Sequence, residues 1–372
     1  MKKILFITPY VPSLRAGGEK FTLELLEDLS KSFKVDLVYY KYKWDKDYIP
    51  PSDNIRVRKI LHNSTLVKLC NCIKFPVFHP IFTIRFSWKL LRFLRKLDKE
   101  EHYDYLYLDH SQMMLYSLFF KHKKKIMMAH DVMAQRFSRR GSWLERNWVM
   151  FGEKLFMSQP NNTVFTFSEK DNKIIKEKYG IKAKATNFFL SKDVVNAKPE
   201  KIENRVVFMG KWSRPDNLDG LKWFIEKVLP ILNKGINIVI TGVQMPQDYL
   251  EILSRIPNVK FLGFVDNPYN LVANSLAVAS PLFSGAGVKV KVIEALGCGT
   301  PVVGTNVAFE GISEEYKDFM LLAETPQAFA DAINNISFSV EQRKAMKEKF
   351  LETYSRANIT NYLLRREAEN NG

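Results

Sequence analysis

Short apolar runs alternate with helix-period segments along the whole chain, and the alternation begins twice. The first series opens with Lys3–Thr8 (KILFIT). It passes through Pro-Tyr-Val-Pro and Arg15-Ala16-Gly17-Gly18, then continues as the helix-period stretch FTLELLEDLSKSF and the β-rich VDLVYY. Strand, glycine loop, helix and strand in that order make a βαβ unit. Further apolar runs follow at 103–109 (YDYLYLD), 125–131 (KIMMAHD) and 162–169 (NTVFTFSE), the last leading into the polar helix KDNKIIKEKYG. The second series starts with RVVFMG at 205–210 and runs through INIVITG at 236–242, VKFLGFV at 259–265 and LAVASPL at 276–282. Helix-period segments, LDGLKWFIEKVLPIL and NPYNLVANS, lie between these strands. Residues 185–204 lack strong periodicity, contain Pro199 and read as a linker. The pattern predicts two doubly wound α/β domains. A length of 372 residues agrees, since single cores stop growing beyond about 250–300 residues.

The run at 281–303, PLFSGAGVKVKVIEALGCGTPVV, reads as a tight turn, a short helix and a Gly-Thr-Pro turn into a buried strand. Gly285 and Gly287 flank Ala286, so the backbone there can bend sharply and approach a ligand closely. A helix starting at Lys289 or Val290 would aim its free N–H groups into that turn, as a diphosphate requires. Lys289 and Lys291 add positive charge at the same end, where cations oppose the helix dipole, so helix stability does not explain them. Glu294 follows Lys291 by three residues and can share its face. A loop–helix–strand connection with solvated lysines is the plain alternative.

At these residues the chain resembles the retaining nucleotide-sugar glycosyltransferases of the GT-B fold, family 4. The resemblance implies two Rossmann-like α/β domains facing a cleft: residues 1–190 on the acceptor side, 191–350 for the nucleotide sugar, and a tail, 351–372, crossing back. It implies that Glu294 accepts hydrogen bonds from the ribose hydroxyls and that the turn of Gly285, Ala286, Gly287 and Val288 holds the donor diphosphate. Many members carry a second glutamate eight residues earlier, where this chain has Ala286. A subset has a Gly-x-Gly turn and a lysine three before the glutamate, as here. In the family the first glycine loop lies near the donor phosphates, which makes Gly17 and Gly18 donor-binding residues. His130 closes the 125–131 run, and ligands of open α/β sheets bind outside the carboxyl ends of strands. By resemblance it contacts the donor sugar, so His130 and Glu294 are the expected catalytic residues. Lys211 and Arg214 follow RVVFMG, where basic side chains can reach a diphosphate. Lys211 takes the first position of the family's basic pair and Asn217 the second, within a Trp-x-x-Pro-x-Asn pattern at Trp212–Asn217.

The implied activity moves a hexose-like sugar, with retention, from a UDP or GDP donor to a hydroxyl of a lipid-linked or growing polysaccharide. The implied route is front-side displacement, with the leaving phosphate oxygen taking the acceptor's proton. The alternatives are a nucleotide-sugar epimerase on the same fold and a non-catalytic partner subunit.

The net charge of +16 is unevenly spread. Between Arg56 and Lys99 there are 11 Lys/Arg and one acid, Asp98. The end of this segment, FSWKLLRFLRKLDK, has Phe86, Leu90, Leu91, Leu94 and Leu97 on one stripe and its cations on other faces. The stripe is expected to face a core, and the charge to face an anionic membrane surface. Nucleic acid is the rival partner, but no nucleic-acid module signature is present. There is no HExxH and no Asp-x-Asp in a usable place, so no metal and no cofactor beyond the nucleotide sugar is expected, with Lys and helix N–H groups standing in for a cation. Cys70, Cys72 and Cys298 form no disulfide or metal framework. The start, MKKILFITPYVPS, does not read as a signal peptide, and no run of 18 apolar residues occurs. The expected place is the cytoplasm, peripheral at the inner face of the membrane.

Overall fold

The structure, a computed structural model, describes every residue except Ala16, Asn63, Gly141, Asn187, Phe189, Ala286, 355–357 and Gly372. It divides into two compact units, Met1–Thr186 with Ala357–Gly372, and Asn187–Arg356. The division falls just after the last strand of the first sheet.

The first unit is built on seven parallel strands: β1 (Lys3–Thr8), β2 (Lys34–Lys41), β3 (Ile55–His62), β4 (Tyr105–Asp109), β5 (Lys124–Met128), β6 (Asn162–Thr166) and β7 (Lys184–Ala185). Their order is β3-β2-β1-β4-β5-β6-β7. Central strands of such sheets are covered on both faces, so they read as continuous apolar runs; β4 is buried along its whole length. The order reverses between β1 and β4. That switch point opens a crevice at the carboxyl ends of the two strands.

The second unit repeats the plan with β8 (Glu203–Lys211), β9 (Asn237–Val243), β10 (Val259–Gly263), β11 (Ser275–Ser280), β12 (Val302–Gly304) and β13 (Met320–Leu322), in the order β10-β9-β8-β11-β12-β13. Its switch point lies between β8 and β11. Lys211 ends β8, a short turn leads into the helix Pro215–Trp223 that carries Asn217, and the loop after β11 is the glycine turn.

Strand β3, IRVRKILH, departs from the expectation that the charge of this segment faces an anionic membrane surface. Arg56 donates two hydrogen bonds to the buried Asp36 of β2, at 2.8 and 3.0 Å, and Arg58 donates a third at 2.8 Å. Arg85 is buried, with Nε 2.5 Å from Gln112 Oε1 and its guanidinium over the Tyr10 ring. Three of the eleven cations are therefore structural. The Trp88–Glu101 helix matches its expected stripe. Ser87 caps it by accepting from the Leu90 N–H, Leu90, Leu91, Leu94 and Leu97 are buried, and Lys89, Arg92, Arg95, Lys96 and Lys99 face solvent.

The chain ends in two helices. Val340–Tyr354 belongs to the second unit, where Arg343 donates to the Ser275 and Leu276 carbonyls at 2.8 and 2.9 Å. Asn358–Asn371 returns to the first, with Tyr362 edge-on to Phe165 and its hydroxyl 3.2 Å from Thr163. Among the described residues no helix is long and apolar enough to cross a membrane.

Candidate active site

In the second unit the glycine turn takes the expected shape. Gly285 and Gly287 have φ of 133° and 71°, which L side chains rarely adopt. Ala286 lies outside the described residues. The helix Val290–Gly297 begins where expected, with Lys289 as its N-cap residue and no side-chain cap. Its first N–H groups are therefore not satisfied by a capping side chain. Lys289 Nζ folds back to the Gly287 carbonyl (2.5 Å) and lies 3.9 Å from Glu310. Lys291 Nζ donates to Asn217 Oδ1 (3.1 Å), while Asn217 Nδ2 donates to the Lys211 carbonyl (3.1 Å). The Asn217 side chain thus links the end of β8 to the helix after β11. Ser284 Oγ and Arg214 both approach Asp216, at 2.5 and 3.8 Å.

Burial, together with the charges of Arg214 and Lys289, pushes the Lys291 ammonium down to about 7, against the pull of Asp216. A buried ammonium whose charge is disfavoured by burial and by neighbouring cations makes a site that gains from an anion. Glu294 sits one turn into the helix and accepts from the Tyr269 hydroxyl (2.8 Å). Lys211, in contrast, joins the network through its carbonyl, and its side chain is exposed. Val288 lies between the turn and the helix.

In the first unit the residues after β1, β4 and β5 converge. His130 lies two residues beyond the end of β5, and its Nε2 is 2.8 Å from Asp109 Oδ1 at the end of β4. Thr22 places its hydroxyl 2.7 Å from Asp109 Oδ2. Burial would raise the Asp109 carboxyl, but His110, His130 and the hydrogen bonds from His130 and Thr22 hold it at about 2. An ionised carboxylate only accepts, so the His130 proton on this side is on Nε2. His110 stacks on His130, with ring centroids 3.4 Å apart and planes within 9°. Burial, and then His130, push His110 down to about 3, so its imidazole is neutral near pH 7. Its Nε2 is buried without a hydrogen-bond partner among the described residues. Its backbone, at φ 63° and ψ 157°, occupies a region that is essentially glycine-only, and such strain clusters at functional sites.

Gly18 explains its own identity here. A Cβ on it would sit 2.9 Å from His110 Cε1 and 3.2 Å from His130 Nδ1, so the stacked pair requires glycine. Gly17 opens the helix Gly17–Ser30 beside it. Asp109 and His110 escaped the sequence reading because their partner His130 is 21 and 20 residues away, just beyond the neighbouring strand. The clue was the charged ending of YLYLD followed by His, the same form as the ending at Ala129-His130-Asp131.

Asp109, His110 and His130 each offer a ligand atom within 4.8 Å of the others, so they could hold a metal ion. The ring stacking fits a metal poorly. Lone pairs of parallel rings lie in parallel planes, and one ion bound to both nitrogens would sit about 1.7 Å out of each plane, which is large beside a metal–nitrogen bond of about 2.0–2.1 Å.

A shallow cavity of about 360 Å³ lies at the amino ends of β8, β9 and β10, lined by Glu203, Arg205, Asn237 and Lys260. It is at the wrong end of the sheet for a ligand of this fold class, which binds at the carboxyl ends.

Residues 203–337 match the family model described as "Glycosyl transferases group 1", a span that falls wholly in the second unit. A curated relative, an uncharacterized 44.6 kDa protein in the cps region of Klebsiella pneumoniae, is 27% identical over 160 residues. The match covers 40% of this chain, and the chain spans only 40% of that relative's length. Solved structures match across the whole chain. Sucrose-phosphate synthase from Thermosynechococcus elongatus superposes with a TM-score of 0.73 at 14% identity, covering 100% of both chains. Anabaena HepE in complex with UDP and glucose gives 0.66 at 15%, covering 100% of this chain and 99% of that one. WaaG, a glycosyltransferase involved in lipopolysaccharide biosynthesis, gives 0.63 at 12%, covering 95% and 94%. The chain has the GT-B fold.

Proposed function

We propose that this protein is a glycosyltransferase that takes a sugar from a nucleoside diphosphate, UDP or GDP, and transfers it with retention to a hydroxyl of a glycan acceptor. The observation that carries this reading is the cation cluster of Lys289, Lys291 and Arg214 around a glycine turn at the switch point of the second sheet, with Glu294 one turn further along the helix. Charge of that sign beside helix N–H groups suits a diphosphate. The turn Gly285–Val288 holds the phosphates, Lys291 balances their charge, and Glu294 takes the ribose hydroxyls. In the first unit His130, oriented by Asp109, contacts the donor sugar. Gly17 and Gly18 leave room beside it.

Lysines and helix N–H groups, rather than a metal, stabilise the leaving diphosphate, and no cofactor beyond the nucleotide sugar takes part. The sugar–phosphate bond breaks as the acceptor oxygen attacks from the same face, and the departing phosphate oxygen receives the acceptor's proton. WaaG's part in lipopolysaccharide biosynthesis and the cps-region relative support a lipid-linked or polysaccharide acceptor. The exposed cations of the Trp88–Glu101 helix support a peripheral place on an anionic membrane surface at the cytoplasmic face.

A panel of nucleotides and nucleotide sugars, screened for thermal stabilisation, tests this. A ligand at about 100 times its dissociation constant stabilises by ~2.7 kcal/mol, and the expected hit is one nucleoside diphosphate and one of its sugars. Turnover with that sugar should survive a chelator. Stabilisation by none of them would overturn the reading, and metal-reversible inhibition by the chelator would overturn the metal-free part alone.

A further inference from the structure

The helix Thr65–Lys74 is turned inside out. Its polar Asn71 is buried and donates to the Ile84 carbonyl (3.2 Å), whereas Leu66, Leu69 and Ile73 are 75%, 62% and 69% exposed. Spacings of three and four residues put these three on one outward face. The face continues through Val77, whose carbonyl accepts from Trp148 Nε1 (2.7 Å) on the helix Trp143–Met157. Phe151, one turn on, stacks on Phe78. One turn back, at the exposed start of that helix, stand Trp143 and Leu144, 67% and 73% exposed. On the other side Lys68 lies over the Tyr42 ring, which stacks on the exposed Trp44. Two helices of the first unit therefore expose large apolar side chains, tryptophan among them, with the segment after the first helix bonded to the second through Val77 and Trp148. A patch of that kind marks an interaction site.

The surrounding charge selects the partner. Thr65–Lys74 has two lysines and no acid. Among the described side chains from Met133 to Met157 the cations are Arg136, Arg146 and Lys154, against two acids. Of those acids Glu153 is fully buried, accepting from Met133 N and Ala134 N, and Glu145 lies beside His79. Apolar and tryptophan side chains within a cationic field suit the boundary between acyl chains and anionic headgroups.

We infer that Leu66, Leu69, Ile73, Trp143 and Leu144 insert into the headgroup–acyl boundary of an anionic bilayer, with the cations as its rim. The inference rests on the peripheral-membrane part of the reading above and changes its contact from charge alone, on the Trp88–Glu101 helix, to insertion by a different face.

The test uses the full chain and vesicles of phosphatidylglycerol mixed with phosphatidylcholine, against phosphatidylcholine alone. Wild type should bind the anionic vesicles and keep part of that binding in high salt. Brominated acyl chains should quench its tryptophan fluorescence, and less so in Trp143→Phe. The triple variant Leu66→Ser, Leu69→Ser, Ile73→Ser should lower partitioning about 1,000-fold, since each removes an inserted aliphatic group worth about tenfold. Its residues are exposed, so its melting temperature and nucleotide affinity should match wild type. Binding that salt abolishes, with no quenching and no effect of the triple variant, would overturn insertion and leave adsorption by charge. Vesicle binding absent altogether, with a dimer in sedimentation that the variant disrupts, would overturn it in favour of a second copy. Nucleotide binding is read in the same samples, so loss of the transferase reading would register separately.

Discussion

In the second unit the groups proposed to bind the nucleoside diphosphate are near neighbours in the chain: a glycine turn, two lysines and a glutamate within ten residues, 285–294. In the first unit the imidazoles come from the ends of two adjacent strands, and a third strand's loop supplies the glycine that admits them. Both sets sit at a switch point, because the two sheets reverse direction in the same way. The difference lies in what holds them. The turn of the second unit is a backbone device, shaped by φ values open to glycine. The histidine pair of the first is a side-chain device, and it depends on a buried carboxylate and a strained His110 backbone. A backbone device recognises an invariant group such as a diphosphate. A side-chain device suits the part of a ligand that varies.

Separate mutations should split these two tasks. Glu294→Ala is expected to weaken nucleoside diphosphate binding by about 10- to 150-fold, the value of a charge-assisted hydrogen bond of ~1.5–3 kcal/mol, and to cut transfer with it. His130→Ala should lower turnover while calorimetry finds the affinity for the bare nucleotide unchanged. If the folded Glu294 variant binds both UDP and GDP as wild type does, the nucleotide assignment fails. If His130→Ala loses nucleotide affinity and turnover together, the contrast between the units collapses.

Gly18→Ala sharpens the comparison from the backbone side. Its new Cβ would press on His110 and His130 at 2.9 and 3.2 Å, and neither ring has a flexible end to yield. Misplacing a positioning group by about 1 Å can cost about 100-fold. Turnover should fall by roughly that factor with nucleotide affinity retained. Wild-type turnover in this variant would show that the stacked geometry is not used.

These contrasts also explain what the sequence revealed. The switch point of the second unit was legible because its chemistry is local: Gly285, Gly287, Lys289, Lys291 and Glu294 declare a turn and a helix start by spacing alone. His130 was legible only as a strand ending. Asp109 and His110 were legible only as a charged strand ending, because parallel pairing of β4 with β5 brings Asp109 opposite Met128, and no spacing in the chain encodes that register. Strand β3 was hidden by composition. Its arginines were read as part of a charge facing an anionic membrane surface, yet Asp36 and Glu101 neutralise Arg56 and Arg58. Lys211 ends β8 at the expected place, with its carbonyl accepting from Asn217 and its side chain exposed.

The last contrast is a pH dependence confined to the second unit. Lys291 stands near 7 in the free protein, well below the ordinary lysine value of 10.5, because burial and the cations Arg214 and Lys289 disfavour its charge. A bound diphosphate favours that charge, so binding must raise the lysine's pKa. Below about pH 7 the ammonium is already present and affinity should be flat. Above it, binding must first take up a proton, so affinity should fall by up to about tenfold per pH unit. The ligand does not confuse the sign, since a terminal phosphate loses its second proton at a pKa of about 6 and is fully charged in this range. Calorimetry of the nucleoside diphosphate from pH 6 to 9, in buffers of different ionisation enthalpy, reads both the slope and the proton taken up. Lys291→Arg keeps its charge throughout and should remove the slope, whereas His130→Ala should leave it intact. A flat wild-type profile without proton uptake would place Lys291 outside the diphosphate contact and leave Lys289 and Arg214 to carry it.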